Sequence, residues 1–101
     1  MNRFVLDTDP RVAATYHCDK HVVKMILEEA QMLCSVHRRY GSVDDRLYKA
    51  THANHPCTLW AGETTSNYRW GYSLLVALCD EYTHRYGKVH ATARLLDILA
   101  E

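Results

Sequence analysis

Residues 19–40 read DKHVVKMILEEAQMLCSVHRRY, and this stretch decides the fold. Val22, Met25, Ile26, Leu33 and Val36 recur at three- and four-residue steps, the period of a helix with one apolar face, and Gly41 follows as a stop. The spacing predicts a central helix from about Asp19 to Tyr40. Val22, Ile26, Leu33 and Val36 are expected to be buried against a helix containing Leu75 and Leu78.

Toward the N-terminus, Arg3-Phe4-Val5-Leu6 is a short apolar lead, and Asp7-Thr8-Asp9-Pro10 supplies cap residues before a proline suited to a first helical turn. A helix is expected to start near Pro10. The pattern leaves open whether it continues into the central helix or breaks at His17-Cys18-Asp19, where Asp19 offers a second cap. Toward the C-terminus, residues 41–55 lack periodicity and read as a long loop, with one helical turn possible over Arg46 to Thr51. Asn54-His55-Pro56 then reads as another helix start, with Leu59 and Trp60 expected to face inward. Thr64, Thr65 or Ser66 can cap a longer helix to Tyr86, with Tyr68, Gly71, Leu75, Leu78 and Tyr82 on one face and Gly87 ending it. A last helix is expected over about Lys88 to Leu99. No stretch alternates as a strand does, so the expected fold is all-α, a single compact domain over residues 1–101 with four to five helices.

Composition agrees with one ordinary globular unit: 101 residues, 48% hydrophobic and 24% charged, with no repeat or low-complexity tract. Twelve Lys and Arg balance twelve Asp and Glu, so any contact with nucleic acid must come from a local patch and not from net charge. No apolar run approaches the roughly 18 residues of a membrane span, and no secretory leader is evident, so a soluble cytoplasmic protein without membrane partners is expected. Cys18, Cys34, Cys57 and Cys79 form no CxxC pair and read as reduced, mostly buried thiols.

The second face of the central helix carries the chemistry. His17, His21, Lys24, Glu28, Gln31 and Ser35 follow at steps of four, three, four, three and four, so they share one stripe. A solvated face explains such a stripe by periodicity alone. Its content argues otherwise, because two imidazoles, an amine and a carboxylate are acid, base and nucleophile types. Asn54-His55-Pro56 with Trp60 forms a second cluster, where a helix N-terminus suits an anion such as phosphate, although Asn54 and His55 also serve as plain caps. Glu81, Arg85, Lys88 and His90 form a third, in which Arg85 and Glu81 are spaced to pair. His17 and His21 at i,i+4 can face one metal ion, with His52, His55 or Asp19 completing a set, but the glutamate base of a His-Glu-x-x-His site is missing. No metal and no cofactor is expected, and the four glycines form no dinucleotide fingerprint.

Met1-Asn2-Arg3, then Asp19-Lys20-His21, and Glu28 seven positions after that histidine resemble the bacteriophage pyrimidine-dimer DNA glycosylases, which are also AP lyases. The chain is similar as well to shorter bacterial and phage proteins likened to that family. With them it shares Lys24 and Glu28, Gln31, Leu33, Asn54 to Pro56 and a following Trp60, about 80 residues in all. The resemblance implies DNA as partner, with the host cytoplasm as location for a phage protein. It also implies cleavage of a glycosidic bond by a chain-terminal amine, and strand scission through an imine with help from a helix glutamate. Carried over, Glu28 is the catalytic carboxylate, and Arg3 and His21 contact substrate. The nucleophile stays open among Met1, Asn2, Lys20 and Lys24. An amine must be neutral to attack, which an α-amino group of pKa about 8 satisfies and an ordinary lysine at about 10.4 does not. Asn54, His55, Trp60 and Arg85 complete the expected substrate contacts. Leu27 and Gln31 stand where the family has arginines beside its glutamate.

Two other readings compete. The first is a non-catalytic helical binding module that uses the polar stripe as an interface, and the second is a metal-dependent hydrolase built on His17, His21 and a loop histidine. The glycosylase reading requires Glu28, the chain start and His55 to converge.

Overall fold

The computed structural model describes residues 9–15, 17–42, 44–51 and 54–100. Helix α1 spans Pro10–Thr15, α2 Asp19–Arg39, α3 Pro56–Glu63 and α4 Thr65–Tyr86. A 3-10 helix, Ala91–Leu95, leads into α5, Leu96–Leu99. No strand occurs among the described residues, and no helix among them is long and apolar enough to cross a membrane.

The break at residues 17 and 18 is real, and it fixes where the polar stripe begins. His17 closes α1: its Nδ1–H donates to the Ala13 carbonyl at 2.7 Å. Cys18, in an extended conformation, is the N-cap of α2, so Asp19 is the first helical residue and not the cap. At the other end Gly41 has φ 97°. Its N–H reaches the Arg38 carbonyl at 3.1 Å, and that of Ser42 reaches the His37 carbonyl at 3.0 Å, which closes the free carbonyls of the last turn.

Val22, Met25, Ile26, Leu33 and Val36 are all buried, and α2 packs on α4, which contributes Leu74, Leu75, Leu78 and Cys79. Each fully enclosed aliphatic side chain contributes about 1.5–3 kcal/mol. Thr64 caps α4, its hydroxyl accepting from the Asn67 N–H at 3.0 Å, and α4 ends at Gly87 with φ 68°.

Three local expectations need correction. The segment 44–51 forms turns and irregular chain, not a helical turn. It is shaped by Arg38 of α2, which donates to the carbonyls of Tyr48 at 2.7 Å and Leu47 at 2.9 Å. The C-terminal helix does not start at Lys88. The left-handed turn at Gly87 throws the chain out, and His90, extended, caps the 3-10 helix by accepting from the Thr92 N–H at 3.1 Å. Trp60 is 38% exposed instead of facing inward. The buried residues of α3 are Thr58 and Ala61, which face the packing of α3 on α2 and α4. Trp60 lies off that face and packs edge-on against Trp70, ring centroids 6.3 Å apart.

The cysteines are free. Cys34 and Cys79 are buried, Cys57 is half-buried and Cys18 is exposed. Burial pushes both enclosed thiols upward, Cys79 to about 11, so neither is an activated nucleophile at neutral pH.

Candidate active site

Along α2 the polar stripe runs from buried to open and back. His17 and Ser35 are buried, His21, Glu28 and Gln31 half-buried, and Lys24 exposed. The helical period explains this, since the core side of α2 is filled and the stripe is left at the edge and top of the helix.

Each end of the stripe is tied down. At the start, burial lowers the pKa of His17; the hydrogen bond to Ala13 opposes this, and the nearby charges of His21 and Arg85 add to the lowering. Its role here is a neutral helix closure. Arg85 of α4 crosses to the same corner, donating to Glu81 at 3.0 Å, Asp19 at 2.9 Å and the Thr15 carbonyl at 3.2 Å. The Glu81 pairing expected from the i,i+4 spacing is therefore present, and the guanidinium binds protein groups on three sides.

At the far end the Ser35 hydroxyl accepts from the Thr51 N–H at 3.1 Å and donates to the Thr51 carbonyl at 2.7 Å, with the Gln31 carbonyl at 2.9 Å as its alternative acceptor. Asn54 and His55 follow Thr51 by three and four residues, at most about 11 and 14 Å of extended chain, so this pin keeps both within reach of the Ser35 end of the stripe. Asn54 is exposed and His55 half-buried. His55 is the N-cap of α3, its Nδ1 accepting from the Cys57 N–H at 3.1 Å. The ring proton is thereby placed on Nε2, a donor that capping leaves over.

Met1, Asn2 and Arg3 lie outside the described residues, as does His52. Among the described residues, no three His, Cys, Asp or Glu side chains gather closely enough to hold a metal ion. One cleft of about 610 Å³ is lined by His37, Tyr40, Ser42, Thr65 and Tyr68, and another of about 680 Å³ by Asp9, Tyr72, Asp80 and His84. Neither contains Glu28, Lys24, His21 or His55. Among the described residues, then, the stripe is an open ledge with the Asn54–Pro56 turn tethered beside it.

One residue escaped the sequence reading. Glu29 is fully buried, sharing the inward face with Met25 and Leu33 four residues to either side. The Glu28-Glu29 pair looks like solvent in sequence, and only the helical phase separates them. His90, expected in the third cluster with Glu81, Arg85 and Lys88, is used as a cap: its Nδ1 accepts from Thr92, and burial lowers its pKa.

An all-α fold built on one long amphipathic helix, with a carboxylate and an amine on its open face, defines a class of small helical proteins with a candidate nucleophile and base on a ledge. The model of the family described as pyrimidine dimer DNA glycosylase matches residues 1–95, and the chain belongs to that family. The membership indicates a DNA glycosylase kind of function, with DNA as substrate. No curated protein and no solved structure matches the chain.

Proposed function

We propose that the protein is a DNA N-glycosylase with AP-lyase activity on damaged or modified pyrimidines, acting through an amine and the Glu28 carboxylate. One observation carries the reading: within the family match, Glu28 is half-buried on the open face of α2, one turn from exposed Lys24 and two from His21. That face is not used by the core, so its residue types answer to something other than folding.

The nucleophile is the amine of Met1 or Asn2, or else that of Lys24 or Lys20. Its nitrogen attacks C1′ of the damaged nucleotide, the C1′–N bond breaks, and the base leaves with a proton. Opening of the C1′–O4′ bond gives an imine to the protein and a hydroxyl on C4′. Glu28 then takes a proton from C2′, the 3′-phosphate leaves, and water hydrolyses the imine to regenerate the amine. Arg3, His21, Asn54, His55 and Trp60 contact substrate, His55 through its Nε2–H to a phosphate oxygen. Arg85 acts as a positioning residue that holds the corner between α1 and α2.

Borohydride trapping and single-turnover cleavage of abasic-site DNA test this. Glu28→Gln keeps shape but removes the base, so cleavage should fall by about 10² or more with an unchanged denaturant melt. Peptide mapping of the trapped adduct identifies the amine. Wild-type cleavage by Glu28→Gln, or no adduct with the parent protein, would leave the helical binding module in its place.

A further inference from the structure

Beside the catalytic stripe lies a surface that neither the core nor the proposed chemistry uses. Val23 and Leu27, one turn apart on α2, are 40% and 39% exposed, and Tyr86 and Val89, at the end of α4 and just after it, are 43% and 73% exposed. They belong to one patch. The Tyr82 ring meets His90 edge-on with centroids 5.0 Å apart, Tyr86 lies 5.0 Å from Tyr82, and α2 packs against both α4 and the 3-10 helix that His90 caps. The bend from Tyr86 to His90 thus lies beside α2.

The patch is edged with positive charge. Lys20 and Lys24 are exposed on the same turns of α2, and Lys88 is exposed within the bend. The carboxylates nearest in the chain to Lys20 and to the bend, Asp19 and Glu81, are both engaged by Arg85. Exposed apolar side chains ringed by lysines, one residue from a candidate catalytic glutamate, fit a polyanion with an apolar interior. Duplex DNA has that chemistry once a base is unstacked: phosphates outside, a vacated gap in the stack within.

We infer that Leu27, with Val23 and Val89 beside it, is a wedge that enters the base stack of the bound duplex, while Lys88 holds a flanking phosphate. The inference rests on the glycosylase reading and extends it, since it states how the target base is made accessible to Glu28. Apolar wedges offset part of the unstacking cost of a few kcal/mol by filling the opened step. Leu27 is suited to this, being apolar, exposed and one helical step of about 100° from Glu28.

The test uses a duplex with a non-cleavable abasic analogue next to 2-aminopurine, whose fluorescence rises on unstacking, so the readout does not depend on cleavage. Wild-type protein should raise the signal several-fold. Leu27→Ser should lose most of that rise while keeping duplex affinity within about threefold, and Leu27→Met should restore it. Lys88→Ala should instead lower the slope of log affinity against log salt by about one and keep the rise at saturation. An unchanged rise with Leu27→Ser overturns the wedge while leaving trapping on abasic DNA, and so the glycosylase reading, intact. Failure of the wild type to bind duplex overturns both. A shift in the sedimentation of free Leu27→Ser without a change in fluorescence would assign the face to a second copy of the chain and overturn the wedge.

Discussion

Arg38 offers the sharpest test of how the ledge is supported. Its guanidinium leaves α2 and donates to the carbonyls of Tyr48 at 2.7 Å and Leu47 at 2.9 Å, with the Asp44 carbonyl at 3.4 Å as a weaker third. Hydrogen bonds from a charged donor contribute about 1.5–3 kcal/mol each. Two of them are short, and Leu47 is 4% exposed, so water reaches its carbonyl only if the loop opens. Arg38→Met keeps most of the aliphatic stem and removes the donors, and partial rehydration brings the expected loss of stability to about 2–4 kcal/mol. Arg38→Lys, with one compact ammonium in place of a fork, should fall between. Urea unfolding gives the number, and limited proteolysis between residues 44 and 51 reports whether the loop is released. Because the acceptors are neutral carbonyls, raising salt from 0.1 to 1 M should leave the difference nearly unchanged. A loss below about 0.5 kcal/mol with unaltered proteolysis would refute the claim that this side chain holds the loop.

Other outcomes follow from the same packing. Ile26→Ala, at a position with no exposure, should cost about 2–5 kcal/mol in a denaturant melt. Thr58 is 3% exposed and its hydroxyl has no hydrogen-bond partner, so Thr58→Val should raise stability by about 1 kcal/mol, read as a higher urea midpoint at constant slope. His17 and His90 have folded pKa values lowered chiefly by burial, so the folded state binds fewer protons than the unfolded chain below about pH 6.5. Stability should be complete above that pH and fall as pH drops through it, by at most about 1.4 kcal/mol per unit for each histidine. His90→Asn, which keeps a capping side chain, should flatten the slope between pH 6.5 and 5.5. Asp44, held down to about 2 by its bonds to Arg46, titrates below that window.

The long helices were legible because several kinds of signal agree on them. In α2 an apolar period and Gly41 point to one span, and the five apolar positions read from the period are buried. The C-terminal segment was not, since Lys88 to His90 contains nothing that breaks a helix. There the left-handed Gly87 and the extended cap at His90 decide the geometry. Trp60 misled because the face of α3 that the fold buries carries Thr58 and Ala61, and the indole turns to Trp70 instead. In the candidate site the stripe itself followed from spacing. Its gradation did not, because the depth of Ser35 depends on Thr51, sixteen residues away, and that of His17 on the end of α1. Adjacent glutamates with opposite environments, Glu28 and Glu29, show the same limit.

The Arg85 contacts also tie together distant parts of the chain. Its bond to the Thr15 carbonyl joins residues seventy apart in the chain, whereas the Schellman closure of α2 and the capping of α4 span only a few residues. Closing a segment of that length costs about 4 kcal/mol of chain entropy beyond the constant term, so a six-residue helix such as α1 is held in place by its packing on α4 and not by its own propensity. The corner that holds His17 and leads into His21 is therefore a tertiary feature, and the near end of the ledge carrying Glu28 depends on a side chain from the other half of the chain.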